Sequence, residues 1–130
     1  MIVVDASVVI EMLLHASTGR SVGARLFAIG ESLHAPHLID LEVAHVLRRL
    51  AAVQEISSVG GRRRVAAMAD FPIRRYRNDV LLHRIWELRH NVSAYDAAYI
   101  DLAEGLRVPL ITWDKRLAKA RGHRAKVEVV

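Results

Sequence analysis

The sequence predicts an α/β protein, with a central parallel sheet of four or five short strands and helices over both faces. Three observations predict it. Short apolar runs such as Ile2-Val3-Val4 alternate with longer segments of helical periodicity, as in a buried parallel sheet. Serine or aspartate recurs where a helix should begin, and glycine or proline where an element should end. No internal repeat, low-complexity tract or linker interrupts the 130 residues, so one domain over residues 1–130 is expected.

Ile2-Val3-Val4 reads as a first strand, and Ser7 as the cap of a helix to about Leu14. A second helix is expected from Ser21 to Ile29, ending near Gly30. Ser32-Leu33-His34-Ala35 is a weaker strand closed by Pro36. Helical periodicity is strongest from Leu38 to Val53, where Ile39, Val43, Val46, Leu47, Leu50 and Val53 form one apolar stripe. Ser57 or Ser58 starts another helix, which ends before Phe71-Pro72. Phe71 to Tyr76 reads as an edge strand, where proline is tolerated. Asn78-Asp79 caps a helix to about His90, with Leu81, Ile85 and Leu88 inward. Ser93 opens the next helix, whose Ala97-Ala98 permits close packing on a sheet, and Gly105 ends it. Val108 to Thr112 is a buried strand. Asp114 opens a last helix to Ala120, terminated by Gly122, and Val127 to Val130 forms the final strand.

Composition narrows the function. Hydrophobic residues make up 52% of the chain and mean hydropathy is +0.17, which excludes a disordered chain. The apolar runs are too short and too interrupted by charge for a transmembrane helix, and Met1 to Asp5 lacks the basic region of a signal peptide. A cytoplasmic protein without membrane contact is the expectation. Absence of cysteine excludes disulfides and thiolate metal sites. A formal charge of +5 and a pI near 10.2 suit a nucleic-acid partner. Arginine is concentrated mid-chain, at Arg48-Arg49, Arg62-Arg63-Arg64, Arg74-Arg75 and Arg77, away from the acids discussed next. Each such group also reads as a solvated helix face.

Asp5, Glu42, Asp96 and Asp114 are the candidate chemistry. Asp5, Asp96 and Asp114 stand where a strand or loop hands over to a helix, and in an open parallel sheet such handovers gather at the carboxyl edge. Taken singly, each has a structural explanation: Ser93-x-x-Asp96 fits a capping box, Asp114 an N-cap, and Asp5 a strand end. Glu42 lies too deep in its helix for a cap and borders the apolar stripe, so it needs a partner. Arg49, His45 and a metal ion all qualify. Taken jointly, the acids form an oxygen donor set suited to Mg2+ or Mn2+ and to phosphodiester hydrolysis. No serine has an evident His–Asp relay, and Gly60-Gly61 lacks the Lys-Ser/Thr of a phosphate loop. Asp101 falls about 140° around the helix from Asp96 and reads as a surface acid. Asp40 and Asp79 read as first-turn acids, and the seven histidines show no zinc spacing.

These residues carry a family resemblance. Val3-Val4-Asp5-Ala6-Ser7, Ala35-Pro36-His37-Leu38 with Glu42-Val43, Tyr95-Asp96-Ala97-Ala98-Tyr99 and Thr112-Trp113-Asp114-Lys115-Arg116-Leu117 occur in the order of PIN-domain proteins. From Ile2 to Val130 the chain resembles VapC-type toxins of bacterial toxin–antitoxin pairs. The resemblance implies a PIN-like α/β/α sandwich and an Mg2+- or Mn2+-dependent endoribonuclease. Asp5, Glu42, Asp96 and Asp114 would then form the acidic metal site, supported by hydrogen bonds from Ser7 and Thr112. It also implies an RNA substrate, a homodimer, a cognate VapB-type antitoxin, and operator DNA bound only through that antitoxin. His45 and Trp113 depart from the small residues common at their positions. Trp113 either stacks on a base or packs against Arg116 or a neighbouring helix. Two other readings compete: a basic binding module that keeps the fold without the chemistry, and a phosphoacceptor domain. The latter lacks both its acidic pair near the first strand and an aspartate closing the Phe71 to Tyr76 segment.

Overall fold

The computed structural model describes residues 1–15, 23, 24, 26 and 30–130. Their elements run β1 (Ile2–Val4), α1 (Ala6–Leu14), β2 (Leu33–Pro36), α2 (Leu38–Ala52), α3 (Ser58–Ala69), β3 (Ile73–Tyr76), a 3-10 turn (Asp79–Leu81), α4 (Leu82–Glu87), α5 (Ala94–Leu106), β4 (Leu110–Thr112), α6 (Lys115–Lys119) and β5 (Val127–Val129). The helix expected from Ser21 to Ile29 lies mostly outside the described residues, although Leu26 within it is buried.

Among the described residues the five strands form one parallel sheet in the order β3-β2-β1-β4-β5. From β1 the chain steps outward through β2 to β3, then crosses back to β4 and continues to β5. Right-handed crossovers therefore put α1, α2 and α3 on one face and α4, α5 and α6 on the other. The packing agrees: α2 lies against α1 and α3, and α4 against α5. Val3, Val4, Leu110 and Ile111 fill the middle of the sheet, with Val8, Val9, Ile39, Val43 and Leu47 packed from one layer and Ala97, Ala98 and Ile100 from the other. β3 is an edge strand, as Pro72 suggested. Arg75 on it bonds the Asp40 carboxylate of α2 at 2.8 Å and the Met68 carbonyl of α3 at 2.9 Å.

Local chemistry explains the helix ends, including those the sequence misplaced. Ser57 accepts from the Gly60 N–H and Ser93 from the Asp96 N–H, so both cap as expected. The cap of α1 is Asp5, which accepts from the Val8 N–H; Ser7 lies inside the helix and turns its hydroxyl back to Asp5. Asn78 does not cap the segment after it. Its side-chain oxygen accepts from the Leu38 N–H at the start of α2, and the expected helix to His90 is a 3-10 turn followed by a shorter α4. α5 runs one residue past Gly105 and ends at Arg107, which adopts the left-handed conformation at φ 58°. Pro109 lacks the N–H needed to carry the helix further. Gly122, at φ 87°, faces Asn91 so closely that a Cβ there would lie 2.9 Å from the amide.

Candidate active site

β1 and β4 are neighbours whose connections leave in opposite directions, and the crevice at the carboxyl edge between such strands is where open α/β sheets bind ligands. Asp5 closes β1 there, and Thr112, Trp113 and Asp114 close β4. Two hydroxyls join the strand ends. Ser7 donates to Asp5 Oδ1 and accepts from the Trp113 N–H, while Thr112 donates to Asp5 Oδ2 and accepts from the Asp114 N–H. Asp5 is 8% exposed, and burial raises its pKa against the lowering effect of these bonds and of the Val8 N–H. An ionised carboxylate has about four acceptor positions, so Asp5 keeps roughly one, on Oδ2.

Glu42 reaches the same edge from the second turn of α2. Its partner is neither Arg49 nor His45, which are exposed, but the Tyr99 hydroxyl, which donates to Oε2 at 2.5 Å. Burial raises the Glu42 pKa; the Tyr99 bond opposes that rise, and the charges of Asp5 and Asp96 add to it. Glu42 is therefore near enough to Asp5 and to Asp96 to be repelled by both. Asp96, in the first turn of α5, is half-buried, and its carboxylate accepts no side-chain hydrogen bond among the described residues.

Asp114 caps α6 by accepting from the Arg116 N–H at 2.8 Å, and its carboxylate is clasped by the Arg116 guanidinium, with Nη2 at 2.9 Å. That clasp holds its pKa below the usual carboxylate range. Asp96, Asp114 and Arg116 line one pocket together with Asn91 and Ser93.

Sequence reasoning missed Tyr99 and Arg116 as partners of the acids. Tyr99 follows Asp96 by three positions and so shares its flank of the helix, a usable signal. Arg116 follows Asp114 by two positions, a local spacing that was also a usable signal. Opposite charges are less separate than the sequence suggested. Arg75 pairs with Asp40, Arg77 with Asp79 and Arg116 with Asp114, while Arg48, Arg49, Arg62 and Arg63 are exposed. Asp101 is half-buried rather than fully solvated, and burial followed by Glu104 repulsion raises its pKa. Trp113 is 38% exposed, and Arg116, one packing partner considered for it, bonds Asp114 instead. His34 is a satisfied core histidine, held between Ser32 at 2.8 Å and Tyr76 at 2.7 Å.

Among the described residues, no three Asp, Glu or His side chains stand close enough to form a ready-made metal cage. The donor set still fits a hard divalent cation. It is all oxygen, Asp96 is unclaimed, Asp5 keeps roughly one acceptor position and Glu42 about three, and the charge of Asp5 and Asp96 on Glu42 favours a cation between them.

Comparison with known proteins agrees with this architecture. The PIN domain family profile matches residues 2–122. Ribonuclease VapC12 of Mycobacterium tuberculosis is 42% identical over 130 residues, covering 100% of this chain and 99% of the relative. The crystal structure of VapBC2 from Rickettsia felis, bound to a promoter DNA fragment, matches with TM-score 0.71 at 9% identity, covering 99% of this chain and 98% of that chain. The structure of VapC20 from Mycobacterium tuberculosis, described as a sarcin-ricin-loop-cleaving toxin, matches with TM-score 0.67 at 16% identity, over 92% and 94% of the two chains. The structural matches show a shared fold, and the full-length relative and the family profile show descent: this chain belongs to the PIN-domain family, among the VapC ribonucleases.

Proposed function

We propose that the protein is a divalent-metal-dependent endoribonuclease, the toxin of a pair whose other member is a VapB-type antitoxin. The carrying observation is full-length 42% identity to a protein named a ribonuclease, in a chain that brings Asp5, Glu42 and Asp96 to the sheet's switch point. Mg2+ is the favoured ion, with Mn2+ the alternative. Asp5, Glu42, Asp96 and Asp114 would hold it, directly or through water. Such an ion supplies the charge that acidifies a water and neutralises the oxyanion leaving a phosphodiester.

The chain's own residues prepare that step. Ser7 and Thr112 fix the Asp5 carboxylate from both sides, which leaves its remaining acceptor position in one orientation. Asp96 offers both oxygens. Asp114 must let go of Arg116 to contribute, and the released guanidinium then stands free for an RNA phosphate. Exposed Trp113 at the rim suits stacking on an unpaired base. A second copy of the chain and the antitoxin are the protein partners of this reading, with operator DNA contacted through the antitoxin. No helix among the described residues is long and apolar enough to cross a membrane, and a cytoplasmic location completes the proposal.

The alternative is a PIN-like module that binds nucleic acid without cleaving it. The lack of a preformed three-ligand cage among the described residues and the Arg116 clasp on Asp114 favour it. One experiment separates the two: purified protein incubated with total cellular RNA in Mg2+, Mn2+ or EDTA, beside Asp96→Asn. Discrete fragments lost with EDTA and in the variant are the expected result. Intact RNA in every metal, from folded protein free of antitoxin, would transfer the assignment to the binding module.

A further inference from the structure

Tyr99 is a buried polar side chain in direct contact with one of the acids, and the proposed chemistry gives it no role. We propose that Tyr99 is a positioning residue, whose hydroxyl anchors the Glu42 carboxylate across the opening between the two helical layers so that the acidic pocket can take up a divalent cation. The inference rests on the metal-dependent reading of the site and extends it to a residue outside the acidic set.

Four observations carry it. Tyr99 is 2% exposed, so its hydroxyl is out of reach of bulk water and needs an acceptor inside the protein; Glu42 Oε2 is that acceptor. Tyr99 lies three residues after Asp96, so α5 presents an acid and a donor along one flank at the same edge of the sheet. Among the described residues this is the one side-chain hydrogen bond between α2 and α5, helices on opposite faces of the sheet. Glu42 has long, free rotamers and is repelled by Asp5 and Asp96, so without a tether its carboxylate would swing towards solvent. Tethered through Oε2, it keeps Oε1 free of any hydrogen bond among the described residues. Packing alone does not account for the hydroxyl, since phenylalanine would fill the same space.

The test is Mn2+ binding to the full-length protein, read from the electron paramagnetic resonance of free Mn2+, for wild type, Tyr99→Phe, Glu42→Ala and the double variant. Thermal melting is run on each. Tyr99→Phe is expected to stay folded and to bind Mn2+ roughly tenfold more weakly, in line with the 10–100-fold cost typical of losing a residue that orients a metal ligand. RNA cleavage should fall with it and recover at high Mn2+. In the Glu42→Ala background the same substitution should change Mn2+ affinity no further, because Tyr99 acts through Glu42. Unchanged affinity in Tyr99→Phe, equal losses in both backgrounds, or collapse of the fold would each overturn the proposal and leave Tyr99 a core residue. Wild type that binds no Mn2+ would overturn the metal reading and this proposal together. Binding with a normal tyrosine effect but no RNA cleavage would remove only the nuclease assignment.

Discussion

Helix α5 carries an acid near each end, and the two have opposite surroundings. Glu104, at the carboxyl end, accepts from Arg84 Nε at 3.0 Å and Nη2 at 3.1 Å, and from the Arg124 N–H at 2.6 Å. Burial alone would raise its pKa, yet these partners outweigh burial and hold it below the usual range. At the other end Asp96 has no such partner, and nearby Glu42 is raised by burial and by its acidic neighbours, against a single hydrogen bond. The fold gives Glu104 an arginine of its own, whereas at the other end Arg116 is engaged by Asp114 and no cation is hydrogen-bonded to Asp5, Glu42 or Asp96 among the described residues. A carboxylate held by arginine contributes to the fold; carboxylates gathered without one cost stability, which a functional site can justify.

The largest expected effect tests the uncompensated end. Asp96→Asn keeps the shape and removes the charge, so RNA cleavage should fall by roughly 10²–10³-fold, the loss typical of one preorganised stabilising group, with melting unchanged. An equal loss in Asp101→Asn would mean the site lies elsewhere on α5. Next, Mn2+ at about a hundredfold excess over its Kd should stabilise the wild type by about 2.7 kcal/mol in denaturant unfolding, and Asp96→Asn much less. Equal stabilisation of both would place the ion away from this pocket.

The compensated end should respond in stability alone. Arg84→Ala leaves Glu104 without its main partner and should cost roughly 1–3 kcal/mol in urea unfolding, while cleavage per folded molecule is kept. The pH response should also differ between the ends. Asp5 and Glu42 have raised folded pKa values, so their contribution is full below the ordinary carboxylate range and is lost as pH rises through their folded values. Glu104 is lowered, so its contribution is present above that range and is lost as pH falls through its folded value. In EDTA, Glu42→Gln should therefore flatten the decline in stability between mildly acidic and neutral pH, and Glu104→Gln should not. The smallest effect concerns Arg116, which is fully exposed: Arg116→Gln should leave melting unchanged and tighten Mn2+ binding severalfold by freeing Asp114. Weaker binding in that variant would show that the clasp helps the site instead of competing with it.

Much of this arrangement was legible in the chain. Ile2-Val3-Val4 and the run to Thr112 could only be buried strands, because a continuous apolar run suits a strand covered on both faces. The stripe from Ile39 to Leu47 fixed both α2 and its inward face. Ser57, Ser93 and Asp114 announced their helices, since capping is a contact between residues two or three apart. The cap of α1 was misplaced locally, by two residues, and two larger errors came where a side chain found a distant partner. Asn78 turned to Leu38, 40 residues away, and Glu42 to Tyr99, 57 residues away.

The sequence by itself determined the fold class, the helix starts at those three caps and the identity of the acids that end or follow β1 and β4, because each depends on short-range periodicity or capping. Tertiary structure alone decided that Glu42 is tethered by a tyrosine rather than paired with Arg49 or His45, and that Glu104 is neutralised by Arg84 while Asp96 accepts no side-chain hydrogen bond among the described residues. The reason is physical: capping and periodicity act over one helical turn, whereas burial and charge compensation are set by whatever the crossovers bring alongside, and no local pattern records that.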